Sequence, residues 1–266
     1  MRFPAAGAEP RGAASMSIAR LEWLRLWRTN RLAVLMLLFG LFGLLGPITA
    51  VYLPEIIGLA SAQEGFELTV PEPTPPDGIA QYIGNVGQLG LVAVAAIAAM
   101  ALAVDARPGL AAFYRTRQRS AASWVLPRWL ATTLAAVLGW TVGLAAATYE
   151  TVVLIGELPL DRVLVGWTCW AVYLAFAVAV VALAAGLVRS TVGVTAAAVV
   201  GLLAIGAVGA IPQLGDWLPS TLVGAPTGLV QGGLDPADLL QPALVTVALT
   251  VAALALAVVL AQRREL

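Results

Sequence analysis

Six apolar stretches, each long enough to cross a bilayer, constrain this chain more than any other feature. They run from about Leu32 to Leu53, Ile83 to Val104, Trp129 to Leu154, Val163 to Val188, Val192 to Ile211, and Pro242 to Ala261. A spanning helix needs about 20 predominantly apolar residues. Inside hydrocarbon every backbone N–H and C=O must find a partner within the protein, and a helix meets that demand within one segment. The pattern therefore predicts an all-α polytopic membrane protein with six transmembrane helices. Composition agrees: 60% of the residues are hydrophobic and only 11% charged, against about 25% charged in soluble domains. Most of the chain has no water-facing side to decorate.

Orientation follows from the arginines, since positively charged residues accumulate in cytoplasmic loops. All fifteen basic residues are arginine. With the N-terminus inside, Arg2, Arg11, Arg20, Arg25, Arg28 and Arg31 precede the first span. Arg107, Arg115, Arg117, Arg119 and Arg128 follow the second, Arg189 follows the fourth, and Arg263 and Arg264 follow the sixth. Only Arg162 falls outside. Both termini are thus expected in the cytoplasm. Acidic residues collect on the other side, among them Glu55, Glu64, Glu67, Glu72, Asp77, Glu157, Asp161, Asp216, Asp235 and Asp238. Trp23, Trp27, Trp124 and Trp129 suit the inner interface, and Trp167 and Trp217 the outer one.

The first sixteen residues contain no apolar core of signal-peptide length and read as a disordered extension, with Met16 an equally good start. Residues 17–266 form the transmembrane domain. Residues 54–82 are expected as a long outer loop whose centre, PEPTPPDG, is extended. Residues 213–241 are apolar but broken by Pro219, Pro226 and several glycines. That segment is too interrupted to span, and it is expected to lie in the outer interface or dip into it.

The one sizeable inner loop, residues 105–128, carries the most chemistry. Asp105 is placed as a helix N-cap and Pro108 in the first turn of a short helix. Leu110, Phe113 and Tyr114 give that helix an apolar side, and Arg115, Arg117 and Arg119 give it a charged end. A docking element for a partner protein and ordinary positive-inside loop chemistry both fit this pattern.

The stretch D-x-R-P-G-L-x-x-F-Y-R-T-R at Asp105–Arg117, the P-R-W at Pro127–Trp129, the six spans and the basic, tryptophan-bearing segment before the first span resemble the permease subunit of ABC-2 type ABC transporters. The resemblance covers nearly all of residues 16–266. It implies that the inner loop holds a coupling helix seated on a separate cytoplasmic ATPase subunit. Asp105, Arg107, Leu110, Phe113, Tyr114, Arg115, Arg117 and Arg119 are then the coupling residues. It further implies short re-entrant helices within residues 213–233, an interfacial elbow helix at ARLEWLRLWRTNR, and a working dimer of identical or different permease subunits. The location implied is a prokaryotic cell membrane, and the transported solute is unspecified.

Several function classes are excluded by what is missing. No lysine exists, so there is no P-loop, and any ATP hydrolysis must come from a partner. Without histidine there is no bis-histidine haem, zinc-peptidase motif or serine–histidine dyad. A single cysteine, Cys169, rules out an internal disulfide or multi-thiolate site and is expected to pack as a small apolar residue. No cofactor, metal or nucleic-acid partner is expected, and the chain is not expected to be an enzyme. Glu150, in the outer third of the third span, is the one acid placed within the bilayer. It suits either an ion-coupling site or a carboxylate that reaches the headgroups. Gly139 and Gly143, the set Gly40, Gly43 and Gly46, and the set Gly201, Gly206 and Gly209 offer surfaces for close helix packing. The rival functions are a stand-alone ion-coupled transporter using Glu150 and a non-transporting membrane scaffold.

Overall fold

The computed structural model describes residues 18–63, 71–107, 109, 111, 120–209, 211, 215 and 217–264. Among them the regular structure is entirely helical. In chain order the helices are α1 (Ile18–Arg28), α2 (Arg31–Gln63), α3 (Pro75–Asn85), α4 (Leu91–Leu102), α5 (Ala122–Leu154), α6 (Leu160–Leu187), α7 (Thr191–Gly209), α8 (Thr221–Val230) and α9 (Leu240–Arg263). A π-helical turn, Val86–Gly90, joins α3 to α4 within one continuous rod. The six segments long and apolar enough to cross a membrane are Arg31–Gly58, Pro75–Leu102, α5, α6, α7 and α9. The chain is an all-helical, multi-pass membrane protein.

The second span begins earlier than expected. Pro71–Thr74 is extended, but Pro75 and Pro76 open α3, so PEPTPPDG is helical from its fifth residue onward. Proline is tolerated there because the first-turn N–H groups have no intrahelical partner and its fixed φ suits the helix. Thr74 closes the turn: its N–H and hydroxyl both donate to the Asp77 carboxylate, at 2.8 and 2.6 Å. Likewise α2 runs on to Gln63 through Pro47 and Pro54. The α6–α7 connection is the tight hairpin that the sequence predicts. Val188 turns extended and the Ser190 hydroxyl accepts the N–H of Gly193 at 3.0 Å.

The core is the crossing of α2 and α5. A Cβ at Gly43 would overlap the Gly143 carbonyl, one at Gly143 would overlap the Phe39 carbonyl and the Tyr82 hydroxyl, and one at Gly139 would press on the Leu35 backbone at 3.3 Å. Gly46 lies equally close to the backbone of Tyr82 in α3. Between helices in lipid there is little hydrophobic drive, so close backbone approach through small residues supplies the packing. The glycine sets of the first and third spans thus meet each other within one chain. Of the set in the fifth span only Gly209 is a close-approach point, against Ser220; a methyl added at Gly206 would meet nothing within 4 Å, and one at Gly201 would meet only Val180, at 3.7 Å.

From this crossing an aromatic ladder runs across the bundle. Tyr82 stacks on Trp140 (5.3 Å between centroids) and Trp140 on Trp170 (4.6 Å). Trp170 meets Tyr173 edge-on at 5.8 Å, and Tyr173 meets Phe176 at 6.3 Å. The indole N–H groups are used: Trp140 donates to the Trp167 carbonyl and Trp170 to the Val223 carbonyl of α8. Cys169 is buried and free beside this ladder, as a small apolar residue would be.

The glycine crossing is testable. Gly143→Val should destabilise the detergent-solubilised protein by about 1–3 kcal/mol, the usual cost of overpacking. Gly84→Ala, where an added methyl meets nothing, should leave stability unchanged or slightly raised. Thermal unfolding followed by size-exclusion recovery reads both; equal melting of the two variants would exclude the crossing as the core.

Candidate functional site

At the inner end, two ion pairs join elements far apart in sequence. Helix α1 lies against α5 through a face formed by Glu22 and Leu26, one turn apart and both buried. Glu22 is only 5% exposed, and it survives there because the Nε of Arg128, itself fully buried at the base of α5, donates to its carboxylate at 2.9 Å. The Arg128 guanidinium also lies over the Trp124 ring, 5.6 Å from its centre, a cation–π arrangement. This accounts for the imperfect amphipathic wheel of α1, in which Leu21 is exposed and an acid occupies the buried stripe.

The second pair joins the root of the inner loop to the C-terminus. Asp105 sits in a 3₁₀ turn, Val104–Ala106, directly after α4. Its carboxylate accepts a hydrogen bond from Arg264 Nη1 at 2.8 Å, and the same nitrogen reaches the Ala185 carbonyl of α6 at 3.3 Å. Val104, Ala111, Ala121, Trp124, Val125 and Ala261 form a small apolar cluster around this point. Both roots of the inner loop are therefore packed onto the inner ends of α6 and α9. Arg107 is exposed, and its carbonyl accepts from Ala111, the first helical hydrogen bond of the loop. Leu110, Phe113, Tyr114, Arg115, Arg117 and Arg119 lie outside the described residues.

At the other end of the bundle, α8 is held against neighbouring spans. Leu222, Ala225, Pro226 and Leu229 are buried, and α8 packs against α6 and α3. Gly166 of α6 is the close-approach point, where a side chain would meet Pro226 at 2.8 Å. Pro226 lacks an N–H, and the Trp170 indole brings a donor to the same turn at 2.9 Å. The chain leaving α8 is fastened by Arg162, whose Nη1 donates to the Leu234 carbonyl at 3.1 Å and stands 3.6 Å from the Asp235 carboxylate. The interrupted segment thus packs against the bundle as a short helix.

The insertion of α8 leaves a cavity of about 690 Å³ between the π-turn, α7 and the Tyr173 face of α6. Its wall includes Gln88, Leu89, Val92, Leu203, Gly206 and Val223, together with Tyr173 and Ser220. Among the described residues, no charged one lines it. Leu89, Val92 and Leu203 are exposed, so the cavity opens sideways, toward where lipid lies. A second cavity, about 490 Å³, shares Val92 and Val199 with it and continues along α4 and α7 past Ala96 and Met100 to Thr191. Together they form an apolar groove between the second and fifth spans. The π-turn sits at its polar end, and such insertions recur at functional sites because they re-aim side chains and loosen the hydrogen-bond ladder.

Glu150 is half-buried in the last two turns of α5, with no hydrogen bond or ion pair among the described residues. It is not part of the groove lining. Glu22, Gln88 and Tyr173 are residues that the sequence alone does not single out. Gln88 carries a usable signal, the amide that reaches furthest, beyond Asn85, into a predominantly apolar span. Glu22 carries a fainter one, the only acid in a basic segment. The buried pair leads to a clear expectation. Glu22→Ala should cost about 3–5 kcal/mol by stranding the Arg128 charge, and Arg128→Met added to it should restore most of the loss. Equal thermal stability of the wild type and Glu22→Ala would exclude the pair as a fastening.

The chain is 25% identical over 210 residues to the uncharacterized transmembrane protein YxlG of Bacillus subtilis (strain 168), a stretch that covers 78% of this chain and 81% of that one. No family model matches the chain, and no solved structure matches it. The likeness to a transmembrane protein over about four-fifths of its length agrees with the multi-pass membrane architecture described above.

Proposed function

We propose that the chain is the membrane-spanning permease subunit of an ATP-driven ABC-2 type transporter, an exporter of a prokaryotic cell membrane. It would work as a dimer of permease subunits, each coupled to a separate cytoplasmic ATPase. The observation that carries this reading is the inner loop, whose two roots are tied to other spans. Asp105 is fastened to Arg264 and the α6 carbonyl, while Trp124 and Val125 pack with Ala261. A push on such a loop moves the inner ends of α4, α5, α6 and α9 together, because none of these contacts can stretch by more than a fraction of an ångström without breaking. The Glu22–Arg128 pair adds α1 to the same unit.

Further support comes from the segment between the fifth and sixth spans, which inserts as a short helix, and from the groove between the second and fifth spans. In this reading Arg107, Arg115, Arg117 and Arg119 supply charge to the ATPase surface, and Leu110, Phe113 and Tyr114 supply apolar anchors. Asp105 acts through Arg264, as a positioning residue at the loop root.

Affinity purification from native membranes in mild detergent tests this. A stoichiometric partner bearing a P-loop is expected. Phe113→Ala combined with Tyr114→Ala should reduce its recovery about thirtyfold, the loss of roughly 2 kcal/mol typical of aromatic anchors, while membrane insertion stays unchanged. Recovery of the chain alone in several detergents, with flux driven by the protonmotive force and abolished by Glu150→Gln, would replace this reading with the ion-coupled one.

A further inference from the structure

We propose that the groove between the π-turn and α7 is a binding site for an uncharged amphiphile with a long alkyl body, and that the Tyr173 hydroxyl is the group that hydrogen-bonds it. As the substrate's site this rests on the permease reading; as a binding site it does not.

Three observations point to this chemistry. Tyr173 lines the cavity, is 5% exposed, and its hydroxyl has no hydrogen-bond partner among the described residues. The ring is buried while the hydroxyl opens onto the cavity, where a ligand oxygen is one way to give it a partner. Elsewhere in the spans the hydroxyls of Thr132, Thr141, Thr168, Thr246 and Thr250 close onto the carbonyl four residues back, a solution the para-hydroxyl of a tyrosine cannot reach. The Tyr173 ring is held against Trp170 and Phe176, which aims it and limits its freedom to turn away.

The second observation is the absence of charge. Among the described residues, neither cavity is lined by an acidic or basic one. A charged headgroup drawn to this depth would find no counter-ion, and its desolvation would go uncompensated. A sugar would present many donors and acceptors to only Gln88, Tyr173 and Ser220, and its unsatisfied groups would oppose binding.

The third is shape. From Gln88 to Met100 the groove follows about 18 Å of helix at the usual rise, and its walls along that length are Val92, Ala96, Val199 and their apolar neighbours. Gln88, Tyr173 and Ser220 gather at one end, while at the other, by Thr191, the Thr195 hydroxyl is already bonded to the Thr191 carbonyl, and the opening faces lipid. This is the polarity of a single-chain neutral lipid, with its head beside Gln88, Tyr173 and Ser220 and its chain running toward Thr191.

The test uses the full chain in phosphatidylcholine nanodiscs, without any ATPase. The probe is a monoacylglycerol carrying a photoactivatable diazirine in its acyl chain, with cross-links located by mass spectrometry. Labelling is expected to concentrate on α4 and α7. Unlabelled monoacylglycerol should displace it, and an alkyl phosphate or alkyl trimethylammonium of equal chain length should do so at least about tenfold less well, a difference of about 1.4 kcal/mol. Tyr173→Phe should weaken competition about fivefold, the worth of one neutral hydrogen bond. Gly206→Phe, which fills open space in the cavity, should abolish the label.

Labelling spread evenly over the lipid-facing helices, or unaffected by Gly206→Phe, overturns the site. Equal displacement by the charged analogues, or full affinity in Tyr173→Phe, overturns its assigned chemistry. Labelling as expected, without nucleotide-dependent movement of the probe once native membranes supply their ATPases, keeps the site and removes the permease reading.

Discussion

Everything in this bundle is arranged around the backbone contact between α2 and α5 at Gly43, Gly139 and Gly143. Lipid tails are as apolar as leucine, so burying leucine between two spans gains little over leaving it in the bilayer. What a helix pair gains in lipid is dispersion, and that grows steeply as backbones approach. Once α2 and α5 lie this close, the Tyr82 ring of α3 fits over Gly143 and begins a stack that continues through Trp140 to Trp170 in α6. Four spans are thereby packed by one continuous set of contacts. Helices α7 and α9 stay at the edge: only Val194, Ala198 and Leu202 of α7 are buried, a single stripe at helical spacing.

That peripheral position creates the groove. α7 is held to α6 and α4, but opposite the π-turn it stands away, and α8 enters behind it to close the outer end. The aromatic ladder reaches the groove wall at Tyr173, one contact before Phe176. Core and candidate site therefore share a structural element, and a change in the stacking of Trp170 would alter the position of the hydroxyl that a ligand meets.

The charged residues divide into two sets by location. At the inner end, Glu22 with Arg128 and Asp105 with Arg264 fasten α1, α5, α6, α9 and the loop root to one another. At the outer end Arg162 fastens the chain that follows α8. The Glu22–Arg128 pair is enclosed and depends on its own pairing, whereas the Arg264 and Arg162 pairs stay partly exposed and keep some of their solvation. Arginines that mark topology in the sequence thus also act as specific ties, and the planar guanidinium suits that double use because one head can serve a carboxylate and a carbonyl at once, as Arg264 does.

Local composition was enough to give the number of spans, the tight α6–α7 hairpin and the failure of residues 213–241 to form a spanning helix, because hydrocarbon admits only long apolar segments with satisfied backbones. It placed span ends less well where proline reads as a breaker: Pro75 opens α3 instead of excluding it, because a first-turn proline loses no hydrogen bond. Which glycine faces meet, the burial of the α1 acid on Arg128 and the tie of the loop root to Arg264 were settled by the packing of the helices alone. The same packing brought Gln88, Tyr173 and Ser220 to one cavity. Each of these depends on how helices rotate about their own axes and against each other. In segments apolar all round, no hydrophobic stripe records that rotation in the sequence.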